Sequence, residues 1–183
     1  MKLTLLVLII VILVTGPWFY IIGPNPLWYF VSSHTYGLAT LSLKIGANPN
    51  SCDNRAQECP LFIAATLEDL KMIKLLEHAG ADFHILNQRG ANVLNVQCSN
   101  TEIMAYFIEK GVSVNNQFSM DGKSGMTPLH CAVLSHSPDA VKLLLSKGAD
   151  KTKTLSSWAG KINVTPLQLA ELKDQTDVAA LLR

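Results

Sequence analysis

The 183-residue sequence predicts an all-α fold: a solenoid of about five helix–turn–helix repeats, preceded by an N-terminal transmembrane helix. Three observations carry this expectation. A seven-residue motif recurs with spacings of 34, 33, 35 and 38 residues, a glycine landmark keeps the same beat, and residues 3–22 hold no charged side chain. The chain accordingly divides into a membrane segment, residues 1–23, and a repeat domain, residues 24–183.

The motif is clearest as Thr127-Pro128-Leu129-His130-Cys131-Ala132-Val133 and Thr165-Pro166-Leu167-Gln168-Leu169-Ala170-Glu171. Weaker copies begin at Cys59, Asn92 and Asn25. Thr127 or Asn25 can cap a helix by accepting a hydrogen bond from an orphan backbone N–H. Proline in the next position has no N–H to leave unpaired and presets the helical φ. This short first helix is expected to end near Thr66 or Ser135. A second helix follows, apolar at helical spacing: Leu70, Ile73, Leu75 and Leu76, then Ile103, Phe107 and Ile108, then Val141, Leu143, Leu144 and Leu145. Gly80, Gly111 and Gly148 stand just past its end, where a left-handed residue closes a helix.

A period near 33 residues, with a capped TPLH-type helix, a second helix and a Gly-Ala-Asp close, resembles the ankyrin repeat. Thr127 to Asp150 carries the pattern almost intact, and the resemblance covers residues 25–183 with repeats starting near 25, 59, 92, 127 and 165. Two turns are about four and five residues longer than the family's usual length, between Gly111 and Thr127 and between Gly148 and Thr165. The repeat at 92 has Val93 where proline is expected, and the repeat at 25 has Trp28, Tyr29 and Phe30 where small residues are expected. The resemblance implies stacked helical pairs with projecting β-hairpin fingers. It also implies a protein-binding module and no enzyme.

Only Lys2 and Lys44 are charged before Asp53. About 20 apolar residues suffice to cross a bilayer as a helix. Trp18, Phe19 and Tyr20 suit the membrane–water boundary. The readings are an uncleaved signal anchor, a cleaved signal and a buried helix. The anchor is favoured because Pro17 follows the best cleavage site at Gly16. Lys2 then keeps the N-terminus inside, leaving the repeat domain on the exoplasmic, periplasmic face of a single-pass inner-membrane protein. Secretion to the periplasm after cleavage is the alternative.

The net charge is +1, from 15 basic and 14 acidic residues. Phosphate binding wants clustered Lys and Arg, so nucleic acid is not an expected partner. His34, His78, His84, His130 and His136 lack metal-ligand spacing, and no paired Cys motif suggests zinc. His130 is expected to brace its turn as the family's motif histidine does. No nucleotide-binding or hydrolase motif occurs, so neither a catalytic residue nor a cofactor is expected. Cys52 and Cys59 bracket one finger and are a candidate disulfide. Cys98 and Cys131, placed at different positions of neighbouring first helices, read as buried free thiols.

Surface is what remains. Arg55, Gln88, Arg89, Phe118, Met120, Asp121 and Trp158 are the candidate partner-binding residues, because they fall in fingers and loops. Phe118 and Trp158 could be interface anchors or could fold back onto their own repeats. The expected function is a membrane-tethered module, monomeric when unbound, that binds one protein partner. The specific expectation is an immunity protein that neutralises a secreted toxic effector, for example a lipase, as some small bacterial envelope ankyrin proteins do. A scaffold for an envelope enzyme is the alternative.

Overall fold

The computed structural model describes residues 27–52, 59–120, 123–158 and 161–183. The expected membrane segment at residues 1–23 lies outside the described residues. Among those described, no helix is long and apolar enough to cross a membrane. The described residues form ten helices and four strands. The helices are α1 (Leu27–Ser32), α2 (Tyr36–Lys44), α3 (Pro60–Thr66), α4 (Leu70–His78), α5 (Val93–Val96), α6 (Thr101–Glu109), α7 (Pro128–Leu134), α8 (Pro138–Ser146), α9 (Pro166–Leu172) and α10 (Thr176–Leu182). The strands are β1 (Phe118–Met120), β2 (Lys123–Met126), β3 (Leu155–Trp158) and β4 (Lys161–Val164). The fold is mostly helical, with two antiparallel hairpins in place of a purely α architecture. The hairpins are the two turns that the sequence made too long: the extra residues are what lets a turn grow into a finger.

Each first helix starts where its local chemistry says. Thr127 Oγ1 accepts from His130 N, while His130 Nδ1 accepts from Thr127 N. The same reciprocal box joins Asn92 to Asn95 and Thr165 to Gln168. The second helices α4 and α8 close alike. Gly80 and Gly148 take φ of +85° and +82°, and the next residue's N–H reaches back to a carbonyl of the last turn: Ala81 to Leu76 and Ala149 to Leu144, both at 2.9 Å. Five non-glycine residues among those described also adopt left-handed φ; Asn163, on β4, is one, and the other four share one place in the repeat. His34, Glu68, His136 and Asp174 stand at the turn between first and second helix, with φ of +53°, +56°, +49° and +55°.

The described chain forms two compact units. One comprises the residues up to Ala64 with Lys71–Ala81. Its core is Leu27, Val31 and Ala39 from the first repeat, and Leu61, Phe62, Met72, Ile73 and Leu76 from the second. Asn50 Nδ2 donates to the Gly80 carbonyl at 3.2 Å.

The other unit comprises Ala65–Leu70 and Asp82–Arg183. Its fully buried residues include Leu94, Ile103, Phe107, Leu129, Val141, Leu144 and Leu169. Phe83 tilts onto Phe107 with ring centroids 5.7 Å apart. Here Asn115, four residues after Gly111 as Asn50 is after Gly46, donates to the Gly148 carbonyl at 3.0 Å. Two of the left-handed residues bond to the repeat that follows. Asn100 Nδ2 donates to Glu68 Oε2 at 2.9 Å, and His136 Nε2 bonds Asp177 Oδ1 at 3.1 Å. The His136 contact is the main reason the Asp177 carboxyl titrates below its usual range.

The repeat at 92 departs most. Without proline its first helix is only four residues long. Gln97 leaves it extended, with φ −107° and ψ 97°. Its buried side chain replaces the missing turn: Nε2 donates to the Ala65 carbonyl at 3.0 Å and Oε1 accepts from Asn100 N at 3.2 Å.

The reading of Cys98 as a helical free thiol is corrected. Cys98 follows Gln97 out of the helix, and its sulfur joins that of Cys131 with Cα atoms 5.7 Å apart. Cys52 and Cys59 are also joined, with Cα atoms 3.9 Å apart. No free cysteine remains.

Candidate functional site

The second unit carries three consecutive fingers: a tight turn at residues 87–91, the β1–β2 hairpin and the β3–β4 hairpin. The first is closed by its own asparagine. Asn87 Oδ1 accepts from Arg89 N at 2.9 Å and Ala91 N at 3.0 Å, and Asn87 N donates to the Ala91 carbonyl at 2.9 Å. Gln88 and Arg89 are thereby held out into solvent.

The fingers are fastened edge to edge. Ser119 N, on β1, donates to the Arg89 carbonyl at 2.8 Å. Asn116 Nδ2 donates to the Gly90 carbonyl and to Asn95 Oδ1, both at 2.8 Å. Gln117 Nε2 reaches the Gly125 carbonyl at 3.3 Å and the Thr154 carbonyl at 3.5 Å, which bridges the second finger to the third. The polar run Asn115-Asn116-Gln117 therefore builds the rim. In the sequence these residues look like plain loop; the signal that marks them is an Asn four residues past the helix-closing glycine, at both Asn50 and Asn115.

Below the rim, each of the two hairpins is tied to the first helix of the repeat before it. Asn95 Nδ2 donates to the Met126 carbonyl at 3.3 Å, and His130 Nε2 contacts the Val164 carbonyl at 3.1 Å. Met126 and Val164 each immediately precede the next cap, so Asn95 and His130 do the same job one repeat apart. With a carbonyl at Nε2 and a backbone N–H at Nδ1, His130 carries its hydrogen on Nε2. Burial lowers its pKa to about 4, so it is neutral at pH 7. It braces the turn, and its sequence neighbour Cys131 is committed to the disulfide. Among the described residues, no group of three His, Cys, Asp or Glu is placed to hold a metal ion.

The sequence-derived candidates separate into four sets. Gln88 and Arg89 are exposed at one fingertip. Met120 and Trp158 end β1 and β3, paired with Lys123 and Lys161 across their turns, so both lead into fingertips. Arg55 and Asp121 lie outside the described residues. Phe118 is corrected: it is no projecting anchor but 8% exposed, clustered with Ala91 and Met126, with Cys131 and Leu134 packed against them. The reason is strand alternation. Phe118 pairs with Met126, and both turn their side chains under the finger.

A family model described as "Ankyrin repeats (3 copies)" matches residues 61–154. An interferon antagonist of Monkeypox virus is 32% identical over 128 residues, which is 68% of this chain and 43% of that protein. The nuclear factor NF-kappa-B p105 subunit of Gallus gallus is 33% identical over 146 residues, 77% of this chain and 14% of that protein. A B-cell lymphoma 3 protein homolog of Mus musculus is 28% identical over 109 residues, 58% of this chain and 24% of that protein. The chain thus spans less than half the length of these curated relatives. The repeat beat, the three capping boxes and the family match agree, and the chain belongs to the ankyrin-repeat proteins.

Proposed function

We propose that this ankyrin module is a non-enzymatic, membrane-tethered binder that holds one protein partner along its finger rim. The observation that carries the reading is the fastening of three fingers into one edge by Ser119, Asn116 and Gln117. A rim fixed before binding loses little conformational freedom when a partner docks, which favours affinity. Gln88 and Arg89 stand on it in solvent, and Met120 and Trp158 lead into its other tips.

Two features support display on the exoplasmic side. Residues 3–22 have the length and composition of a single membrane span. All four cysteines are paired, and disulfides persist in oxidising compartments. The specific role we propose is immunity: the rim covers a secreted toxic effector, such as a lipase, at the periplasmic face. A blocking role accords with one relative's name, an interferon antagonist. The test is co-expression of the full chain with a lipase toxin directed to the periplasm. Protection of the cell, with both proteins recovered together from membranes, is the expected result. Undiminished toxicity, with no complex, overturns the immunity reading.

A further inference from the structure

We propose that the first repeat is a foot resting on the lipid surface, with Tyr29, Leu38 and Ile45 as the side chains that enter the headgroup region. This rests on the reading of residues 3–22 as a membrane span.

Tyr29 on α1 is 44% exposed, and Leu38 and Ile45, on and just past α2, are 41% and 58% exposed. They are half of the six exposed large apolar side chains among the described residues, all within one repeat. Leu38, Leu41 and Ile45 fall at i, i+3 and i+7, so they form one strip along α2, bordering the buried Ala39 and Ser42. Tyr29 points away from Leu27 and Val31, which α1 buries.

Solvent-facing helix surfaces elsewhere in this protein carry charge. α4 has Lys71, Lys74 and Glu77, and α8 has Asp139 and Lys142. By contrast α1 and α2 together carry only Lys44, and no charged residue lies between Lys2 and Lys44. A helix pair in water has no need to be so depleted.

The distance to the membrane decides the occupant. Residues 23–26 alone separate the apolar stretch from α1, and four residues reach about 14 Å fully extended. The first repeat cannot leave the interface of a membrane that residues 3–22 span. Trp28, Tyr29 and Phe30 are stacked edge to face, with successive centroids 6.0 and 6.1 Å apart. Consecutive aromatic rings of this kind are at home among headgroups.

The test places a photo-reactive benzoylphenylalanine singly at Leu8, Leu38, Ile45 and Leu86 of the full chain. Each variant is reconstituted in phosphatidylethanolamine–phosphatidylglycerol vesicles. Leu86 is the control, being 52% exposed but far along the sequence, just before the tight turn at residues 87–91. Lipid adducts at 8, 38 and 45, several-fold above those at 86, are expected. Adducts at 8 with 38 and 45 no higher than 86 overturn the foot and leave the membrane span standing. No adduct at 8 overturns the span, and the foot with it. Cross-links from 38 or 45 to residues 3–22 or to another protein also overturn the foot, because they name a different cover.

Discussion

His130 Nε2 donates to the Val164 carbonyl at 3.1 Å, a bond that spans 34 residues and fastens a first helix to the finger that follows it. The same ring closes the capping box on Thr127. Because the ring is fully buried, protonation is resisted until about pH 4, against 6.5 for an ordinary histidine. Between those values the unfolded chain binds a proton that the folded chain refuses, so stability falls as pH drops through this window. The loss amounts to about 3 kcal/mol at the acid end. Urea unfolding at pH 7 and at pH 4.5 measures it. His130→Asn keeps both bonds, as Asn95 does at the equivalent position, and should flatten this pH dependence. His130→Ala should cost about 2–3 kcal/mol at pH 7, by leaving the Val164 carbonyl unpaired and a cavity behind.

The Cys98–Cys131 bridge supports the weakest repeat. It closes a loop of 33 residues beside a first helix only four residues long. Changing both cysteines to alanine should destabilise the protein by about 3–4 kcal/mol, and the loss of Cys52–Cys59, with a separation of 7, should cost less. Denaturant unfolding of the two double variants compares them. Equal losses would show that loop length does not govern these bridges.

The beat of repeats was legible because its chemistry is local. Thr127, Asn92 and Gly148 each satisfy backbone groups within a few residues, so a cap or a close can be read from a short window. Cys98 was not legible, because its exit from the helix depends on Gln97 finding the Ala65 carbonyl more than thirty residues away. Phe118 stayed open between anchor and plug for a related reason: a long turn reads as polar loop until strand pairing assigns alternate side chains to opposite faces. The rim ties were hidden too, since Asn116 and Gln117 act through carbonyls of other fingers.

Phe118 and the fingertip residues should therefore behave oppositely. Phe118→Ala should lose about 3 kcal/mol of stability by opening a cavity against Ala91 and Met126. Gln88→Ala and Arg89→Ala should each stay within about 0.5 kcal/mol of the parent and weaken partner binding instead. Thermal unfolding beside a binding assay separates the two effects.

Asp174 sits in the left-handed region at φ +55°. Glycine adopts this conformation without a Cβ penalty, so Asp174→Gly should raise stability by up to about 1 kcal/mol. A fall in the urea midpoint would mean that the Asp174 side chain contributes more than its backbone costs.

The central claim is that the finger rim is the binding surface. Site-specific photo-cross-linking in intact cells, from Gln88 on the rim and from Lys142 on α8, tests it most directly. The account predicts an adduct of one defined mass from Gln88, absent from Lys142 and lost in the Arg89→Glu background. Equal adducts from both positions, or none from Gln88, would contradict it.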